Sequence, residues 1–162
     1  EKKASDALIK AGCDVLAQHC DTTAPQEASE NNGTWAIGYN SDMSKETPKA
    51  TLTSVIWNWS AYYTSYISSI INASYSGENY YGGMKESLVS LTELSSLCDD
   101  QTAEKVKEAK EKIVSGDFGV FDGVLKTNTG DSIGEEGKTL DDAKITGEIN
   151  WYYHNVSELK WK

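Results

Sequence analysis

The chain has no arginine: all fifteen of its basic residues are lysines, against twenty-five acidic ones. That removes the planar fork that usually clamps phosphate or carboxylate in two-point contact. A formal charge of −10 and a pI near 4.6 also leave no basic surface for nucleic-acid phosphates or anionic lipid. Only two prolines, two phenylalanines and two histidines are present, so a histidine-based metal site lacks its ligands. The three cysteines, Cys13, Cys20 and Cys98, are an odd number with no Cys-x-x-Cys pair. Cys13 and Cys20 flank an expected strand of roughly 16 Å extended length, too long for a disulfide across it. All three therefore read as structural thiols. Long hydrophobic runs are missing too, so no membrane-spanning helix is expected. No Gly-x-Ser-x-Gly elbow, phosphate-binding Gly-Lys loop, Gly-x-Gly-x-x-Gly turn or His-Glu-x-x-His helix occurs. Neither a metal nor a cofactor is implied.

The chain does carry enough apolar residues, 38%, for a core, and its charged content of 25% is ordinary for a folded protein. At 162 residues it is one domain or part of a larger one. Ala4, Leu8 and Ala11 share a helical face that ends at Gly12. No capping residue precedes that helix, so the chain is expected to be a C-terminal portion whose missing N-terminal half lies upstream. Residues 14–18, 34–38 and 51–56 form short apolar runs suited to buried strands. A helix is expected between the first two, with Thr23 and Gln26 as a capping box, Pro25 in the first turn and Gly33 as its stop. This order of elements requires parallel strands.

Further on, Tyr63, Ile67, Ile70 and Ile71 fall on one stripe of a helix over residues 60–74, with Tyr62 and Tyr66 beside it. The stripe reads as a core-facing surface. A strand over residues 87–94 follows, then a helix over 101–115 capped by Asp99 or Asp100. Its buried side is expected to be Ala103, Val106, Ala109 and Ile113, with Glu108 and Lys112 paired on the outside. Residues 118–125 predict a strand, 127–143 a polar loop, and the remainder an exposed tail.

In an open α/β sheet, ligands bind at the edge where parallel strands end. Three clusters should meet there: His19, Asp21 and Thr22 after the first strand, Asn40 and Asp42 after the second, Trp57 and Trp59 after the third. An indole face suits a flat heteroaromatic ring, and the amide and carboxylates suit its ring N–H and amine groups. Asp21 and Asp42 alone could serve as an acid/base pair in a sugar-processing enzyme, but nothing supplies the rest of such a site.

Four segments, Ala11–Leu16, Ala36–Met43, Leu52–Trp59 and Gly116–Gly123, resemble the basic membrane protein family. These are substrate-binding lipoproteins of ABC importers, related to purine-nucleoside receptors. The resemblance implies a type I periplasmic-binding-protein fold, two doubly wound α/β lobes closing on a ligand, present here as an incomplete C-terminal fragment. Residues 1–56 would be part of the C-terminal lobe. Residues 57–95 would supply a hinge crossing with an N-lobe helix and strand, and 96–162 would return to the C-terminal lobe and tail. The resemblance further implies no catalysis, an ABC permease as partner, and an extracytoplasmic location with membrane attachment only through an upstream lipid anchor. Nucleoside-binding members carry Gly-Gly-x-Gly where this chain has His19–Thr23, Asp in place of Asn40, and Lys in place of Trp57. Because that Asp and Lys hold ribose hydroxyls, their loss shifts the expected ligand from a nucleoside to a free nucleobase. Sugar binding, or a ligand-sensing domain on the same fold read by a regulatory partner, is the alternative.

Overall fold

Three apolar, β-branched runs do form parallel neighbours. The computed structural model describes residues 1–159; the end of the expected tail, residues 160–162, lies outside them. Strand β1 (Val15–Ala17) pairs with β2 (Trp35–Asn40), and β2 with β3 (Thr51–Trp57), all parallel. A fourth strand, β4 (Val89–Leu91), closes the order β1-β2-β3-β4 by pairing antiparallel with β3. The expected strand over 87–94 is thus cut to three residues. Before it, Ser87 holds φ 60° and the Leu88 N–H donates to the Gly83 carbonyl. Beyond it the chain stays bonded to β3, the Thr92 N–H donating to the Ser54 carbonyl at 2.9 Å and the Ser95 N–H to the Leu52 carbonyl at 2.8 Å.

Helix α1 (Lys2–Lys10) precedes the sheet and α2 (Ala24–Asn32) makes the β1–β2 crossover. Gly33 ends α2 at φ 69°, a left-handed conformation that costs a residue without Cβ little. The start of α2 differs from the capping box. Thr23 makes no side-chain cap bond, and Gln26 is fully buried and bonded elsewhere. Packing has claimed the side chain that local sequence assigned to the cap. The buried set of this part mixes Leu16, Ala28, Ala36, Met43, Ala50 and Leu88 with Gln26, Thr47, Thr51, Thr53 and Ser54. Hydrogen bonds satisfy several of the polar members: the Thr47 and Thr51 hydroxyls pair at 2.7 Å and the Thr53 hydroxyl donates to the Thr92 carbonyl at 3.0 Å, whereas the buried Ser29 hydroxyl has no partner among the described residues.

Helix α3 (Trp59–Ile71) departs from expectation. Its apolar stripe is not a core face: Tyr63 and Ile67 are each 54% exposed and Ile71 is 76% exposed, and the helix has no buried residue. Its ring side chains pack on one another instead, Tyr62 lying 5.6 Å from Tyr66 and 4.8 Å from Tyr80 between centroids.

Helix α4 (Asp100–Ser115) starts as expected, with Asp99 accepting the Thr102 N–H at 2.7 Å. Ala103, Val106 and Ile113 are half-buried but Ala109 is exposed. The surface ion pair is Glu104–Lys107, at 3.9 Å, rather than Glu108–Lys112. The chain divides into two compact units within this helix, Glu1–Lys110 and the segment from Glu111 onward. In the second unit the expected strand over 118–125 does not form. Asp122 accepts the Gly119 N–H at 2.9 Å and closes a turn there. The pairing is a two-residue hairpin, β5 (Leu125–Lys126) with β6 (Ser132–Ile133). The expected loop over 127–143 therefore contains β6 and the start of α5 (Asp142–Gly147), whose cap is Asp141, accepting the Lys144 N–H at 2.8 Å. The three cysteines are free. Among the described residues, no helix is long and apolar enough to cross a membrane.

Candidate functional site

Parallel pairing puts the carboxyl ends of β1, β2 and β3 on one edge, with Ala17 beside Ile37 and Asn40 beside Ile56. The loops carrying His19, Asp21 and Thr22, then Asn40 and Asp42, and finally Trp57 and Trp59 all leave from that edge. Each side chain is set by its local backbone.

Trp57 ends β3 and Trp59 begins α3, so they are not two residues of one continuing strand. Their rings nevertheless meet, stacked with centroids 5.5 Å apart and planes 22° apart. The helix start brings Trp59 back over Trp57, while Asn58 is held by its N–H to the Leu88 carbonyl at 2.7 Å. Trp57 donates its indole N–H to the Tyr39 hydroxyl at 3.4 Å. Tyr39 in turn takes the His19 ring edge-on at 4.3 Å between centroids. A series of rings thus runs His19–Tyr39–Trp57–Trp59 along the three loops, and Trp59 remains 49% exposed. Tyr39 was missed as a candidate. The available signal was its place in β2 immediately before Asn40.

Asn40 sits at φ 69°, a left-handed position that asparagine tolerates better than most residues. It is exposed, as are His19, Asp21, Thr22 and Asp42. Asp42 is partly committed: its Oδ1 accepts the Ser44 hydroxyl at 2.6 Å and the Ser44 N–H at 3.0 Å. Those bonds, the hydroxyl first, hold its carboxyl below the usual carboxylate range. Thr22 is also engaged, donating its hydroxyl to the Glu1 carboxylate and accepting the Ala24 N–H at 3.3 Å. The first bond is the main reason that the Glu1 carboxyl is lowered.

Beneath these loops, Met43 is buried, and its N–H donates to the Ser54 hydroxyl at 3.2 Å. A concavity of about 300 Å³ lies beside β1, lined in part by Leu8, Cys13, Leu16, Gln18, His19 and Cys20. It takes in the first loop but none of Asn40, Asp42, Trp57 or Trp59. Among the described residues, no group of three or more His, Cys, Asp or Glu side chains is arranged to hold a metal ion. Rings, amides and carboxylates along a strand edge are equipped to recognise a ligand by stacking and hydrogen bonding.

The chain is similar to known proteins. Residues 1–122 match the family Bmp, described as ABC transporter substrate-binding protein PnrA-like. A purine-binding protein of Brucella abortus is 32% identical over 158 residues, 98% of this chain and 45% of the relative. A Haloferax volcanii protein carrying the provisional name ABC transporter glucose-binding protein TsgA13 is 30% identical over 122 residues, 75% of this chain and 31% of the relative. The chain thus spans less than half the length of either. Among solved structures, a transcriptional activator of the comK gene from Bacillus halodurans superposes with a TM-score of 0.65 at 24% identity, covering 72% of this chain and 42% of that one. An ABC transporter solute-binding protein from Conexibacter woesei gives 0.54 at 18% identity, covering 74% and 41%. These likenesses fix the fold, an α/β periplasmic-binding-protein architecture. The family is one of binding proteins rather than enzymes, and this chain belongs to it: the Bmp family of PnrA-like ABC transporter substrate-binding proteins.

Proposed function

We propose that the chain is part of the extracytoplasmic substrate-binding component of an ABC importer and takes a purine-type ligand, a free nucleobase in preference to a nucleoside. The stacked indoles of Trp57 and Trp59 at the end of β3 carry this reading. A flat base that extends such a stack gains apolar burial plus about 0.5–1.5 kcal/mol from offset ring geometry. Asn40 offers a donor and an acceptor for the base edge. Ser44 occupies Oδ1 of Asp42, so Oδ2 is the oxygen for a ring N–H. The His19–Thr22 loop, with Asp21, reaches the remaining edge. Trp57 and Asn40 stand where nucleoside-binding members of the resembled family carry Lys and Asp, which favours a ligand without ribose. The Brucella relative's name supports the purine class.

In this reading residues 1–56 and 96–162 belong to the C-terminal lobe, and 57–95 reach the N-terminal lobe. The remainder of a longer protein supplies that other lobe and covers the exposed stripe of Tyr63, Ile67, Ile70 and Ile71. The lobes then close by hinge motion on a ligand that touches both. The partners are an ABC permease and a lipid anchor upstream. Sugar binding is the second reading, favoured by the name of the Haloferax relative and by the affinity of indole faces for the apolar side of a pyranose.

A thermal-shift titration of the full-length protein with purine bases, their nucleosides and glucose decides between them. A ligand bound only by the folded state adds about 2.7 kcal/mol of stability at a hundredfold excess over its Kd. A shift with bases and little with nucleosides supports the proposal. A shift with glucose alone replaces it with the second reading, and a shift with nucleosides alone overturns the base preference.

A further inference from the structure

We infer that Gln18 is a positioning residue that fixes two loops of the ligand edge relative to each other. The inference rests on reading that edge as the ligand site. Gln18 follows β1 directly, and its carboxamide works in both directions. Its Oε1 accepts the Cys20 N–H at 2.9 Å, and its Nε2 donates to the Thr22 carbonyl at 3.1 Å. One side chain therefore braces the His19–Thr22 loop from inside.

The same Nε2 faces Gln26 Oε1 at 2.5 Å and Met43 Sδ at 3.2 Å. Gln26 is fully buried on α2, and its own Nε2 donates to the Ile37 carbonyl of β2 at 3.2 Å. Met43 lies one residue beyond Asp42, and its N–H is held by Ser54 of β3. Two branches accordingly leave Gln18: one runs through Gln26 of α2 to Ile37 of β2, the other through Met43 of the second loop to Ser54 of β3. They leave Gln18 as the group that senses both loops: a shift of Met43 changes the acceptor set of the amide that holds Cys20 and Thr22.

Only an amide serves here, since the position needs a donor toward Gln26 and Met43 and an acceptor toward Cys20 at once. Gln18→Glu keeps the length and the acceptor but sets a carboxylate against the Gln26 carbonyl oxygen. Gln18→Met keeps length and bulk without either polar function. Neither side chain alters His19, Asn40, Asp42, Trp57 or Trp59.

The test uses the full-length protein with these two variants and two readouts. In ligand-free protein, both variants are expected to move the amide resonances of Cys20 and Thr22 together with those of Met43 and Ser44. With adenine as the probe, affinity is expected to fall about tenfold, the scale of couplings carried through packed networks. The ligand-free melting temperature is expected to fall as well, because each variant leaves the buried Gln26 Oε1 without its donor. Movement of Cys20 and Thr22 alone, with Met43 and Ser44 unmoved, overturns the inference. So does a lowered melting temperature with loop resonances and adenine affinity unchanged, which marks a purely structural role. If the wild type binds no purine, the proposed ligand fails on its own, and the loop resonances still decide the role of Gln18.

Discussion

Gly38 lies so close to Ser54 that a Cβ on Gly38 would meet the Ser54 hydroxyl oxygen at 2.3 Å and its Cβ at 3.0 Å. Two neighbouring strands approach here as only glycine permits, and the contact sits directly beneath Asn40 and Met43 in sequence. Gly38→Ala is expected to destabilise the fold by about 1–3 kcal/mol, the cost of overpacking a tight interior. Chemical unfolding measures this. Pairing it with Ser54→Gly removes both clashing atoms and should recover part of the loss.

Ser54 is itself fully buried and receives the Met43 N–H. Ser54→Ala leaves that donor buried without its acceptor, at a cost of about 1–3 kcal/mol. Amide exchange should quicken at Met43 more than at the neighbouring β2 positions. Uniform quickening across β2 would mean that Ser54 supports the sheet rather than the loop.

The Trp57–Trp59 stack predicts a coupled circular-dichroism signal from two indoles 5.5 Å apart. Replacing either by leucine should abolish the signal, whereas Trp35→Leu should leave it intact. For Trp59→Leu the loss in stability should stay near the ~0.5–1.5 kcal/mol of an aromatic pair, because Trp59 is 49% exposed.

Asp42 predicts a pH dependence of loop order. Its folded carboxyl titrates below the ordinary value because Ser44 bonds favour the charged form. The carboxylate therefore contributes stability above the unfolded pKa, near 3.8, and loses it as pH falls through the lowered folded value. Carbon NMR of the Asp42 carboxyl should show the lowered midpoint, and Ser44→Ala should raise it. An unchanged midpoint in that variant would remove the assigned cause.

The three parallel strands, α2 and α4 were legible because their signals are local: apolar runs, Pro25 in a first turn, Gly33 as a stop, Asp99 as a cap. The common edge of His19, Asn40 and Trp57 followed from that topology. Gln26 escaped because a half-buried amide partner eight residues away, Gln18, outweighs a cap bond of its own turn. The turn at Gly119–Asp122 escaped because one side-chain hydrogen bond defeats a run with strand composition. Helix α5 carried a readable cap in Asp141 that was lost among the polar residues around it. The ring series was half legible. Trp57 and Trp59 stood out, but their stacking depends on the helix starting at Trp59, and Tyr39 joins only through contacts between strands.

The central claim is that the edge formed by β1, β2 and β3 binds a purine base against these indoles. The most direct measurement follows the indole N–H resonances of the full-length protein during titration with adenine and with adenosine. The account predicts that Trp57 and Trp59 shift together to saturation with adenine, more weakly with adenosine, and that Trp35 and Trp151 stay in place. Saturable binding of adenine that leaves Trp57 and Trp59 unmoved would contradict it.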